Sequence, residues 1–197
     1  MKKRKLNYFK ISLAIAIVLI IVVVLFFMFN NDSSNVIDKI KDYEYSLKDN
    51  TSSYHKQLFK DLKDKIEDEQ EYAKLLGKLF ISDFYTLEGK RSKVDIGGVQ
   101  FIYEGYQEEF VKYASSNIYK IVSSSSEDLP LVTKIEIEEF GQKEFGHIDS
   151  IYDPKAFFIT YSITYKKQLE DELYPKIVEL VIIRNNDRLE IVEMNSL

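Results

Sequence analysis

Apolar residues recur along this chain with changing rhythms, and each rhythm predicts a different element. Residues 11–29 have no rhythm at all: Ser12 is the sole polar side chain among nineteen. As a helix of roughly 28 Å at ~1.5 Å per residue, this stretch matches the ~30 Å hydrocarbon core of a bilayer. Its many β-branched residues are poor helix formers in water, but in lipid every backbone N–H and C=O must pair internally, which favours the helix. Phe26, Phe27, Met28 and Phe29 run into Asn30, Asn31 and Asp32 without the small-residue pattern of a cleavage site, so an uncleaved anchor is expected.

Residues 30–35 are polar and read as a tether. Over 36–47, Ile37, Ile40, Tyr43 and Leu47 fall at helical spacing and predict an amphipathic helix. Tyr54, Leu58, Phe59, Leu62 and Ile66 predict another, and Tyr72, Leu75, Leu76, Leu79 and Phe80 fit one helical stripe without a gap, predicting a helix over 69–80. Thr86, Gly89, Ser92 and Gly97-Gly98 mark a loop over 82–99 with room for one short strand. Tyr106, Phe110, Tyr113, Ala114, Ile118, Ile121 and Val122 then predict a helix ended by the serines at 123–126.

Beyond Glu127 the period becomes two. Leu131, Thr133, Ile135 and Ile137 alternate with Val132, Lys134, Glu136 and Glu138, and Phe157, Ile159, Tyr161, Ile163 and Tyr165 alternate with Phe158, Thr160, Ser162 and Thr164, which predicts two strands. Residues 177–184 are apolar on both sides and predict a central strand, 185–187 a turn, and Leu189, Ile191 and Val192 the start of a last strand. Helices grouped before strands mean an α+β fold with about three amphipathic helices on one face of a four-stranded antiparallel sheet. The other face, carrying Lys, Glu, Thr and Ser, is expected to meet water or a partner.

Charge adds direction. Lys2, Lys3, Arg4, Lys5 and Lys10 give the first ten residues +5, and the whole chain is −5, so the rest carries −10. Basic residues beside a membrane helix stay cytoplasmic. The expected organisation is a basic cytoplasmic tail (1–10), a transmembrane helix (11–29), a polar tether (30–35) and an extracytoplasmic α+β domain (36–197), with its helical part over about 36–122 and its sheet over about 130–195. The localisation that follows is the plasma membrane, single-pass, with lipid contact through 11–29. An acidic domain repels phosphate backbones, so no nucleic-acid partner is expected. With no cysteine, disulfides, thiolate metal sites and a catalytic thiol are excluded. Bacterial extracytoplasmic domains commonly hold together by packing alone.

Candidate chemistry is sparse. His55 and His147 are the two histidines, and imidazole suits a general base or metal ligand, but neither sits in a ligand-spaced motif. His55, beside Lys56 on a predicted helix, is expected at the solvated surface, and His147 in a surface loop. Glu144, His147, Asp149 and Asp153 within a loop at 141–153 could offer oxygens to a hard cation, yet match no calcium-loop spacing. Gly97-Gly98 lacks the context of a phosphate cradle and reads as a tight turn. Glu67, Asp68, Glu69 and Glu71 stand at a helix N-terminus, where the dipole favours acids. The tyrosines could stack a ligand in a groove, but core filling accounts for most. No catalytic, cofactor-binding or metal residue is assigned, and no cofactor is expected.

The helical stripes from Tyr54 to Val122 followed by the alternating strands from Leu131 to Val192 resemble the nuclear-transport-factor-2-like fold, whose helices fill the concave side of a curved sheet. With one N-terminal membrane helix, the chain resembles the inner-membrane scaffold subunits of bacterial type IV secretion and conjugation machines. That resemblance implies a non-enzymatic interaction or scaffold module of an envelope or transfer complex, with a protein partner or self-association. The same family contains enzymes, which keeps open the alternative of a pocket-bearing enzyme or small-ligand sensor.

Overall fold

The computed structural model describes residues 36–40, 43, 45–123, 128–146, 151–166 and 174–197. The expected tail, membrane helix and tether lie outside the described residues. Among the described residues no helix is long and apolar enough to cross a membrane.

The domain begins with a correction. The described residues of 36–47 do not form the expected helix: β1 (Val36–Ile40) and β2 (Tyr45–Lys48) pair as a small antiparallel sheet of their own. Among its described side chains Ile40, Tyr45 and Leu47 are buried, and the last two are spaced by two, the strand period. The Tyr45 hydroxyl bonds the Tyr72 hydroxyl at 2.6 Å and donates to the Leu189 carbonyl at 3.0 Å, partners far away in sequence that no local pattern reveals. Burial raises both phenols, that of Tyr72 to about 12.

Three helices follow: α1 (Ser53–Lys65), α2 (Glu69–Phe84) and α3 (Gln107–Ser116). Ser52 caps α1 by accepting from the His55 amide, and Asp68 caps α2 by accepting from the amides of Gln70 and Glu71. The acid run therefore acts at a helix start. Glu69 has a second task, since the Arg184 guanidinium clasps it through two bonds of 2.7 Å and so ties the start of α2 to the sheet. The helix predicted through residue 122 is shorter, because the backbone departs at Asn117 and a separate 3₁₀ turn, Ile118–Ile121, follows.

The sheet runs β3 (Val132–Gly146), β4 (Tyr152–Tyr165), β5 (Ile177–Asn185) and β6 (Arg188–Ser196), each antiparallel to the next and in that spatial order. β5 lies inside the sheet, as its two apolar faces require. Asn186 turns the β5–β6 hairpin at φ 54°, a left-handed conformation that asparagine tolerates. β3 and β4 are longer than the alternation indicates and absorb both ends of the loop expected at 141–153.

The main core lies between the helices and one sheet face: Phe59, Leu62, Leu76, Leu79, Phe80 and Phe84 meet Phe157, Ile159, Tyr161, Leu180, Ile182 and Ile191. Burying each such side chain contributes about 1.5–3 kcal/mol. The opposite face is not wholly polar, contrary to expectation. Phe145, Ile151, Ala156, Val181, Ile183 and Val192 form a second apolar cluster there, against which Tyr103 and Tyr106 pack. Tyr106 touches both cores, so the segment leading into α3 wraps around the β6 edge of the sheet.

Candidate functional site

Three features remain after the core is accounted for: a largely buried polar cluster at the end of α2, an open groove along β6, and an open recess of about 240 Å³ lined by Glu67, Glu69, Arg184, Asp187 and Arg188.

His55 belongs to the polar cluster. The structure buries it to 2% exposure, against the surface position expected, with Nδ1 3.0 Å from the Ser82 Oγ. A recess lined by Asn50, Ser52, His55, Ser82 and Asp83 has a volume of about 10 Å³, room for one water. Beside it, the largely buried Asp83 carboxylate accepts from Lys90 Nζ at 2.9 Å and from the Gly98 amide at 2.8 Å. Burial alone would raise the Asp83 carboxyl, but the Lys90 ammonium and these bonds hold it well below the usual carboxylate range. Gly98 sits at φ 78°, and a side chain on Gly97 would overlap the Asp83 backbone, so the expected Gly-Gly turn lets the loop close onto Asp83. The Tyr119 hydroxyl completes the clasp, accepting from the Gly97 amide at 3.0 Å and donating to the Phe84 carbonyl at 2.7 Å.

A serine within reach of a histidine is the first requirement of nucleophilic catalysis. Access is the second, and Ser82 at 1% exposure lacks it. The cluster is therefore a structural clasp with a titratable member. Burial lowers the His55 pKa, so the folded domain disfavours the imidazolium while the unfolded chain does not. The unfolded state then binds more protons, and stability falls as pH drops below about 6.5. Replacing His55 by Gln is expected to flatten this part of the pH dependence. Urea midpoints at pH 7 and pH 5.5 measure it, and equal slopes in both proteins would refute the assignment.

The other sequence-derived candidates disperse. Glu144 is exposed on β3, while His147 and Asp149 lie outside the described residues. Asp153 is buried, accepting from the Arg184 amide at 2.8 Å, the Lys155 amide at 2.8 Å and the Arg184 guanidinium at 3.1 Å. Its oxygens are thus committed to the fold. Among the described residues no group of His, Asp or Glu is arranged to hold a metal ion.

The groove as a whole answers to no single pattern in the sequence. It encloses about 410 Å³ between α3 and β6, with Ile102, Phe110 and Tyr113 on one side and Val192, Glu193 and Met194 on the other. Phe110 packs inward on Phe80 and Phe84, whereas Tyr113 stands half exposed at the rim. Tyr85 donates from below to the Met194 sulfur at 3.3 Å. Glu109 and Glu193 are the charged residues that line it. The α3 stripe containing Tyr113 is a partial signal, but a stripe does not tell core from groove.

Comparison with protein-family models, curated proteins and solved structures returned no match.

Proposed function

We propose that this chain is a membrane-anchored, non-enzymatic interaction module, with residues 11–29 in the bilayer and the α+β domain outside the cytoplasm engaging a protein partner through the groove between α3 and β6. The observation that carries the reading is the groove itself: an apolar floor, a half-exposed Tyr113 and a polar rim are the anatomy of a binding surface. The packing of the sheet's helical face supports it, since Tyr45, Phe84, Tyr119, Phe157 and Tyr161 are fully buried in the core there. A role as a scaffold subunit of a bacterial envelope or conjugative transfer complex fits this arrangement. The rival reading, an enzyme or small-ligand sensor, needs a deep cavity with convergent polar groups, whereas the recess at His55 has the volume of one water and the recess of about 240 Å³ at Glu69, Arg184 and Arg188 is open, with Glu69 and Arg184 paired to each other.

Site-specific crosslinking in the native membrane tests the proposal. A photoreactive residue at Tyr113 is expected to yield a discrete adduct to another polypeptide, and one at Lys134, exposed on β3, is expected to yield none. Absence of any adduct at Tyr113, or the same adducts from both positions, would overturn it.

A further inference from the structure

The lining of the groove identifies the kind of partner. Val192, Glu193 and Met194 are consecutive in β6, yet all line it. Successive side chains of a strand point to opposite faces, so a cavity that meets three in a row runs along the strand's edge and not across a face. β6 is the last strand of its sheet, and its outer edge is where a further strand would lie. The chain itself begins such a strand and abandons it: Ile102 bridges Ile191 in parallel fashion, Tyr103 donates its amide to the Ile191 carbonyl at 2.9 Å, and the backbone then turns away into α3.

Past that point the edge remains open. The Leu197 amide donates inward to the Ile177 carbonyl at 3.2 Å, so by alternation the peptide groups of Asn195 and Glu193 face β5, while those of Met194 and Ser196 face outward. The bulge where Val181 and Ile182 meet Glu193 and Ile191 shifts this phase by one residue, which is why Ile191 also faces outward. Among the described residues nothing pairs with the outward groups of Met194 and Ser196.

We propose that the open edge of β6, from Val192 to Ser196, accepts an extended, basic-apolar segment of a partner protein as an added strand. This rests on the interaction-module reading above. Backbone bonds to Met194 and Ser196 supply the pairing, and the apolar floor takes alternate side chains of the incoming strand. The charged lining residues, Glu109 and Glu193, are both acidic, and the domain around them is acidic too, so the incoming segment carries Lys or Arg, which Tyr113 can also receive on its ring face. A second copy of this chain fits poorly, because edge-to-edge pairing would set one Glu193-bearing strand against another. A helix fits poorly as well, since its own backbone is already paired and would leave the β6 edge groups unmet.

The test uses the full chain in lipid nanodiscs and a labelled peptide of alternating Lys and Val, about eight residues long. Binding is expected, with slowed hydrogen exchange at the Met194 and Ser196 amides. Replacing a central Val of the peptide by Pro, which removes an N–H, or introducing Glu109→Lys with Glu193→Lys in the protein, is expected to weaken binding about tenfold or more. An alternating Glu and Val peptide should not bind. No binding by the Lys-Val peptide, binding without protection at residues 194 and 196, or indifference to the proline would each overturn the strand assignment. If Tyr113 crosslinks persist in the membrane while the peptide fails, the assignment alone falls; if both are absent, the interaction-module reading falls with it.

Discussion

Replacing Asp83 by Ala is expected to destabilise the domain by about 3–5 kcal/mol, the usual consequence of removing one member of a buried ion pair. The Lys90 and Asp83 side chains are only 11% and 15% exposed, so the ammonium left behind cannot regain full hydration. The Gly98 amide loses its acceptor in the same step, and the loop over 85–98 loses its attachment to α2. Against a typical total of about 5–15 kcal/mol, this is enough to leave the domain marginal. Asp83→Asn should fall between, because the amide can still accept from Gly98 but cannot neutralise Lys90. The double variant Asp83→Ala with Lys90→Met is expected to recover part of the loss, since it also removes the ammonium that the Asp83 carboxylate neutralises. Urea unfolding of the full chain followed by circular dichroism measures all three. An unchanged midpoint for Asp83→Ala would show that the clasp contributes nothing. Because the folded carboxyl is held low, the stability it contributes is present at neutral pH and is lost only as pH falls through and below the ordinary carboxylate range.

The burial of this clasp also separates what is legible in the sequence from what is not. The α2 stripe is legible because Tyr72, Leu75, Leu76, Leu79 and Phe80 share one face, and the helix starts at Glu69 as predicted. Its end is not. Ile81, Ser82 and Phe84 are all buried, so the last turn is enclosed on several sides and amphipathic periodicity vanishes there. His55 has a signal that a polar residue type conceals: it precedes Leu58, Phe59 and Leu62 by three, four and seven positions, the spacing of one helical face. The helix wrongly expected over 36–47 has a different origin. Apolar residues three and four apart are common in a short window by chance, and the hairpin is held by Tyr45 reaching Tyr72 and Leu189, contacts between residues distant in sequence. The long strands are legible because a period of two sustained over many residues would scatter apolar side chains all around a helix, whereas on a strand it gathers them on one face. The groove is beyond reach, since it exists only where residues 102–106 wrap around the sheet edge, a tertiary event with no local pattern.

Gly77→Ala should reverse its ordinary effect. In an exposed helix interior, alanine in place of glycine stabilises by about 1 kcal/mol. Gly77 lies in the middle of α2, and a methyl group there would overlap the Tyr161 ring and hydroxyl. Tyr161 is fully buried and donates to the Lys74 carbonyl at 3.2 Å, so it has little room to withdraw. The glycine thus sets how closely α2 approaches β4. Overpacking a core typically costs about 1–3 kcal/mol, and here it also stands to break the Lys74 bond, so a net loss of about 2 kcal/mol is expected. That corresponds to a fall in melting temperature of about 4–8 °C for a domain of this size. The smaller side chain of Tyr161→Leu destabilises by itself through the cavity it leaves, but in that background the added methyl has space. Gly77→Ala should then be neutral or stabilising, giving a coupling opposite in sign to the single effects. Thermal unfolding of the four proteins completes the cycle. Additive losses would mean that α2 and β4 adjust independently and that the glycine is not what fixes their separation.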